Sequence, residues 1–378
     1  QLTANNGGLT QLTGALTTTG SQTYTDNVVL MNDVTLTGTA VAFGGTLNDN
    51  GATSDESLVI VGNLSLNGVV GGGTALESLS VSGTTTIGAG ATAITTSQAD
   101  GGTGNQTYAG AVTLGVDTTL SSGGGNIWFQ GVGSTINGTQ FLTLNTGAGT
   151  VTLDGAVGTG LALTRLDVTA STTFVNGGFV TTTGNQTYNG NLTLGADTVA
   201  TGATPSVTGT IDGNNHSLTL NFTGDTEING ANLTDMGSLI TGGGGAGLTK
   251  LQGTVVTTGI QTYNDDVTLM DDVSLQGTTI TFNGTVNDNG ANTEKLTITG
   301  NAAFNGAVGG TAGKELEELS VSGATSIGNA VIKTSNAGAG TGNQTYTGAV
   351  TLATGNDTTV ILTATGGTVS FGNLLDAT

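Results

Sequence analysis

All five tyrosines of this 378-residue chain fall in one tripeptide, at Gln22-Thr23-Tyr24, Gln106-Thr107-Tyr108, Gln186-Thr187-Tyr188, Gln261-Thr262-Tyr263 and Gln344-Thr345-Tyr346. Successive tyrosines are 84, 80, 75 and 83 residues apart. A fixed period of this size marks a repeat architecture, in which each unit buries its apolar face only against its neighbours. Apolar pairs follow each tyrosine: Val28 and Leu30, Val112 and Leu114, Leu192 and Leu194, Val267 and Leu269, Val350 and Leu352. Residues two apart share one face of a strand, so these pairs point inward and the residue between, usually Thr, points out.

An aspartate comes next in every unit, as Asp33, Asp117, Asp197, Asp272 and Asp357. Asp hydrogen-bonds the backbone just beyond it in an Asx-turn, so each of these is expected to make a corner before the next strand. Further corners are expected at Asn67-Gly68, Asn137-Gly138, Asp154-Gly155, Asp212-Gly213, Asn229-Gly230, Asn283-Gly284 and Asn305-Gly306. A longer period overlies the first. The stretch from Tyr24 to Tyr108 is matched closely by that from Tyr263 to Tyr346, an offset of 239 residues, or three of the shorter units. The chain is therefore expected to be one continuous solenoid over 1–378, with a super-repeat at 1–239 and part of a second copy at 240–378.

Composition decides between hairpins and coils. A β-sandwich closes a domain at about 100 residues and then needs a linker, and neither Pro-rich nor charged linkers separate these units. Parallel coils stacked about 4.8 Å apart need small or β-branched residues in strands and Gly, Asn and Asp at corners; the chain has 68 Gly and one Pro. The expected fold is all-β: a right-handed parallel β-helix (β-solenoid) of three short sheets, with about three or four coils per 80-residue repeat. At roughly 25 residues per coil it would run to about 15 coils and roughly 70 Å. One coil buries only a few aliphatic side chains, at about 1.5–3 kcal/mol each, so stability has to accumulate by stacking. The first residue is Gln1, and neither end carries an amphipathic capping helix, which leads us to expect a segment of a longer array or a subunit that stacks end to end.

The same composition excludes several functions. Without Cys there is no disulfide scaffold and no cysteine-type metal site. Five Lys and Arg against 26 Asp and Glu give a net charge of −21, which repels phosphate backbones, so no nucleic-acid partner is expected. The apolar runs are far too short for a membrane-spanning helix, and 4% aromatic content is too low for the girdles of a membrane barrel.

The string at 183–198 (Thr-Gly-Asn-Gln-Thr-Tyr-Asn-Gly-Asn-Leu-Thr-Leu-Gly-Ala-Asp-Thr) resembles the β-strand repeats of very large exported bacterial surface proteins. So does Phe-Asn-Gly-Ala-Val-Gly-Gly at 304–310, followed by Leu-Ser-Val-Ser-Gly at 319–323. These are the filamentous-haemagglutinin-like and autotransporter-like adhesins. The resemblance is one of repeat style, extends over essentially the whole chain, and specifies architecture better than ligand. It implies export to the cell surface or beyond, a β-helical stalk, and roles in adhesion, aggregation or biofilm.

Candidate sites are few. β-Helical polysaccharide lyases and hydrolases need clustered acids with a basic residue or paired carboxylates. The basic side chains are Arg165, Lys250, Lys295, Lys314 and Lys333, with one histidine, His216. Lys314 lies beside acids in Lys314-Glu315-Leu316-Glu317-Glu318, but the first super-repeat has Ala75-Leu76-Glu77-Ser78 there, so a solvated corner is the expected reading and no catalytic residue is assigned. For calcium, which takes six to eight oxygens, the weak candidates are Asp49 and Asp288, in Asn48-Asp49-Asn50-Gly51 and Asn287-Asp288-Asn289-Gly290; a polar turn is the expected reading of both. No cofactor is expected. The Gln-Thr-Tyr residues suit a sugar platform or a structural plug, and the plug is preferred. Trp128-Phe129 is the better place for a specific contact, although insertion into the core is expected. Ice binding would need Thr-x-Thr in nearly every coil, whereas Thr35-Leu36-Thr37 and Thr208-Gly209-Thr210 are sporadic. The resulting expectation is a non-enzymatic, secreted or surface-attached structural protein that associates with itself end to end or side by side, or with glycans and cell surfaces. A polysaccharide-active β-helix is the alternative.

Overall fold

The structure, a computed structural model, describes the chain except for residues 6, 52–54, 100–101, 244, 329–330, 339, 353–358 and 378. The described residues are short strands joined by turns, with a 3-10 turn at Gly230–Asn232. They form a right-handed parallel β-solenoid. The chain divides into two compact units, residues 1–198 with 206–210, and residues 199–205 with 211–378. The super-repeat boundary expected at 239 and 240 falls inside the second unit.

In the first unit the strand registers sort the inward side chains into three columns. One runs Tyr24, Phe43, Leu66, Ile87, Leu114. The second runs Leu16, Leu36, Ile60, Val81, Tyr108, Phe129, Leu153, Val175, Leu194. The third runs Leu47, Val70, Ile94, Leu120, Leu144, Val168, Tyr188. Their side chains form the core; Val28 and Leu30, for instance, are fully buried, whereas Val29 between them is not. The second unit repeats the plan, with columns headed by Tyr263-Phe282-Phe304, Leu275-Ile298-Val321 and Val267-Val286-Val308.

The columns explain the 80-residue period. From Tyr24 the first column passes through Phe43, Leu66 and Ile87, three coils on; two further strands, Ala93–Thr95 and Gln106–Tyr108, then bring the chain to Tyr108 on the second sheet. Tyr108 leads in the same way to Tyr188 on the third sheet, and Tyr263 to Tyr346 on the next sheet of its own unit. Within each unit one repeat is therefore three and two-thirds coils, and its Gln-Thr-Tyr shifts by one sheet from one repeat to the next. Coil length is uneven: the step is 18 residues from Leu9 to Asn27 but 27 from Leu79 to Gln106. The corners absorb the difference.

Glycine permits the closest coil-to-coil approach. At Gly62, with φ of +141°, an added Cβ would run into the carbonyl oxygen of Gly38 one coil below. No helix among the described residues is long and apolar enough to cross a membrane.

Candidate functional site

The Gln-Thr-Tyr motif is built into the interior. Gln22, Gln106, Gln186, Gln261 and Gln344 are completely buried, and Tyr24, Tyr108, Tyr188, Tyr263 and Tyr346 are at most 5% exposed. The Nε2 group of Gln106 donates to Ile94 O (3.2 Å) and Ser121 O (2.9 Å), carbonyls on successive coils at the corner before the strand. Gln22, Gln261 and Gln344 do the same for Leu16 and Thr37, Val255 and Gln276, and Ile332 and Thr363. Gln186 donates to Val180 O. The remaining amide oxygen accepts the tyrosine hydroxyl, at 2.8 Å for Tyr24 and 2.9 Å for Tyr108. Only an amide has both a two-proton donor and an acceptor in this reach, which is why Gln recurs.

Four of the five tyrosine rings stack on a phenylalanine of the next coil: Tyr24 on Phe43 (5.2 Å), Tyr108 on Phe129 (5.3 Å), Tyr263 on Phe282 (5.1 Å) and Tyr346 on Phe371 (5.5 Å). Burial pushes the Tyr24 hydroxyl up to about 12 and raises Tyr108, Tyr188, Tyr263 and Tyr346 further. Rings so enclosed present no face to a sugar.

The corner aspartates differ from the expected Asx-turns. Asp33 Oδ1 accepts from Ser57 N (2.9 Å), Asp117 Oδ1 from Phe141 N (2.9 Å) and Asp272 Oδ1 from Lys295 N (3.0 Å). Each bond reaches one coil onward rather than to the adjacent backbone. Asn27, Asn63, Asn126 and Asn301 make the same bond at other corners. The reason is spacing: the next coil lies about 4.8 Å away, within reach of a short side chain. Asp357 lies outside the described residues.

Trp128 and Phe129 separate. Phe129 is buried in the second column, but Trp128 is 40% exposed, which corrects the expected insertion of the pair into the core. Alternation requires it: consecutive strand residues face opposite ways. The indole Nε1 donates to Asp154 Oδ2 (2.8 Å), which also accepts from Gly131 N (2.9 Å), while Asn176 Nδ2 donates to Asp154 Oδ1 (2.7 Å). Burial pushes the Asp154 carboxyl up, but these three donors outweigh it and hold it below its usual value.

Asp49 and Asp288 are buried, each in a loop that turns its backbone N–H groups onto the carboxylate. Asp49 accepts from Gly51 N, Asp55 N and Glu56 N; Asp288 accepts from the N–H groups of residues 290–294. Each aspartate faces a buried glutamate that sequence reasoning missed. Glu56 is 5% and Glu294 is 6% exposed, and the Oε2 atom of each has no hydrogen-bond partner. Burial first, then Asp49 and Asp55, raise Glu56 to about 8; burial and Asp288 raise Glu294 to about 7. The available signal was the return of an acid after Asn-Asp-Asn-Gly in both super-repeats.

The remaining candidates lie on corners. His216 follows Asn214 and Asn215, both in the left-handed region. Lys314 O accepts from Asp288 N (3.1 Å), which sets the charged run beside the second acidic loop, where Lys295 Nζ pairs with Glu317 at 3.4 Å. No family model, curated protein or solved structure matches the chain. The likeness to adhesin repeats therefore rests on the motifs quoted above.

Proposed function

We propose that this chain is a non-enzymatic structural segment of an extracellular or surface-attached protein, a β-helical stalk or fibre subunit that supports attachment, aggregation or a biofilm matrix. One observation carries the reading: the side chains that define the repeat, Gln and Tyr, bond coil to coil in the interior, and the repeat moves them from sheet to sheet. A unit whose invariant chemistry faces inward makes length and stiffness. Their outward neighbours on the second sheet run Ser80, Thr107, Trp128 and Thr152, short neutral side chains interrupted by one exposed indole. The contacts that such a segment makes with other copies, glycans or cell surfaces then come from what varies between repeats.

The test is display of this segment, and of versions with one repeat added or removed, on a non-adherent cell. Electron microscopy is expected to show projection length changing in step with repeat number, and the displaying cells to aggregate or adhere. Release of new reducing ends or unsaturated uronates from a polysaccharide panel by the purified chain would refute the reading and favour the enzymatic alternative.

A further inference from the structure

We propose that the corner formed by Asp49, Asp55 and Glu56 is a binding site for one divalent cation of the calcium type. One carboxylate oxygen from each of the three lies within 4.8 Å of the others. Calcium–oxygen distances are about 2.3–2.6 Å, so oxygens ligating one ion are separated by at most about twice that, and the three fit inside a single shell. Magnesium asks for a tighter, octahedral set and fits less well.

Acidic groups gather on many surfaces, but this group has a second feature. Glu56 is 5% exposed, its Oε1 accepts from Asn50 Nδ2, and its Oε2, buried among the acids, has no donor; Glu294 Oε2 is orphaned in the same way, so what sets this corner apart is the third carboxylate, Asp55, beside it. A buried carboxylate oxygen is rarely left without a donor or a cation. Asp49 is fixed by Gly51 N (3.0 Å), Asp55 N (3.1 Å) and Glu56 N (3.2 Å), so it is held in place before an ion arrives. The ion pairs of the described residues lie at Arg165, Lys250 and Lys295, none of them at this corner. A cleft of about 470 Å³ lined by Thr13, Gly14, Asn32, Asp33, Asp55 and Glu56 opens it to solvent, which gives an ion a way in and room for the waters that complete its shell.

The second super-repeat contains a built-in comparison. Its loop keeps the buried pair, Asp288 and Glu294, but has Thr293 before the glutamate where the first loop has Asp55, and Thr293 Oγ1 donates to Glu294 Oε1 (3.0 Å). A donor stands where a ligand would be needed.

The experiment is calorimetric titration of the chelator-treated full chain with Ca²⁺, and separately Mg²⁺, at neutral pH, alongside Asp55→Asn, Glu56→Gln and Glu294→Gln. The expected result is one Ca²⁺ per chain, preferred over Mg²⁺, weakened about 10- to 100-fold by Asp55→Asn and Glu56→Gln and unchanged by Glu294→Gln. Asp55 is exposed, so Asp55→Asn should keep the circular dichroism of the parent, and its loss of binding reads the ligand rather than the fold. The proposal is overturned by no uptake at millimolar Ca²⁺, which leaves the acids to share protons, by equal uptake in Asp55→Asn, or by loss of the ion in Glu294→Gln alone.

Discussion

Replacing Gln106 by Leu tests whether the motif is a plug. Leu fills similar volume but strips the donor from Ile94 O and Ser121 O and the acceptor from the Tyr108 hydroxyl. A buried polar group left without a partner costs about 1–3 kcal/mol. Ser121 O still accepts from Thr96 N (2.8 Å), so the two carbonyls count at the low end and the tyrosine hydroxyl more fully, about 3–4 kcal/mol together. Burial of the leucine returns about 2 kcal/mol, so a net loss of about 1–2 kcal/mol is expected. Tyr108→Phe orphans only the Gln106 oxygen and keeps the ring on Phe129, for a loss of about 1–2 kcal/mol. In the Gln106→Leu background the sign changes: the hydroxyl is already stranded there, so Tyr108→Phe becomes neutral or stabilising, and the coupling exceeds about 1 kcal/mol. Guanidinium unfolding gives the totals, and hydrogen exchange at strands Gln106–Tyr108 and Ile127–Phe129 reads the local effect. Single variants within about 0.5 kcal/mol of the parent that also add independently would refute the plug.

Gly62→Ala drives a methyl into the Gly38 carbonyl at positive φ and is expected to cost more than about 2 kcal/mol, whereas Gly133→Ala, with nothing within 4 Å, stays within about 0.5 kcal/mol; thermal unfolding distinguishes them. Asp117→Ala removes the acceptor for Phe141 N and should cost about 1 kcal/mol, while Asp117→Asn, which copies the Asn corners, should be nearly neutral by the same measurement. Asp154 titrates below the usual aspartate value in the folded chain, so its contribution is present above the unfolded value and lost as pH falls through the lowered folded one. Fluorescence of Trp128, the one tryptophan, should follow that step, and a midpoint at or above an ordinary aspartate value would contradict the geometry.

Strand polarity, sheet number and coil stacking were legible because they depend on alternation and composition, which each short segment carries. The sheet-by-sheet advance of the motif was not, because it requires the length of every coil, and the corners between Leu79 and Gln106 or Leu9 and Asn27 vary by several residues without disturbing the core. Asp33 shows a second limit. Its partner Ser57 is 24 residues away, so the turn chemistry of its own neighbourhood pointed to the wrong acceptor geometry. Trp128 shows a third: a rare apolar residue suggests burial, yet its parity along the strand placed it outside. The candidate acidic corner was half visible. The tight Asn-Asp-Asn-Gly loop marked Asp49, whereas Glu56 joins it only because the loop folds back onto the aspartate.

Gene duplication leaves a geometric trace in such a chain. Because one repeat ends two-thirds of the way round a coil, copying a single repeat rotates everything downstream by a third of a turn, and a patch copied with it looks in a new compass direction. By the same count, three such repeats make a whole number of coils, eleven. A block of three is thus the smallest duplication that holds a whole number of coils, and the 239-residue offset in this sequence is a block of that size.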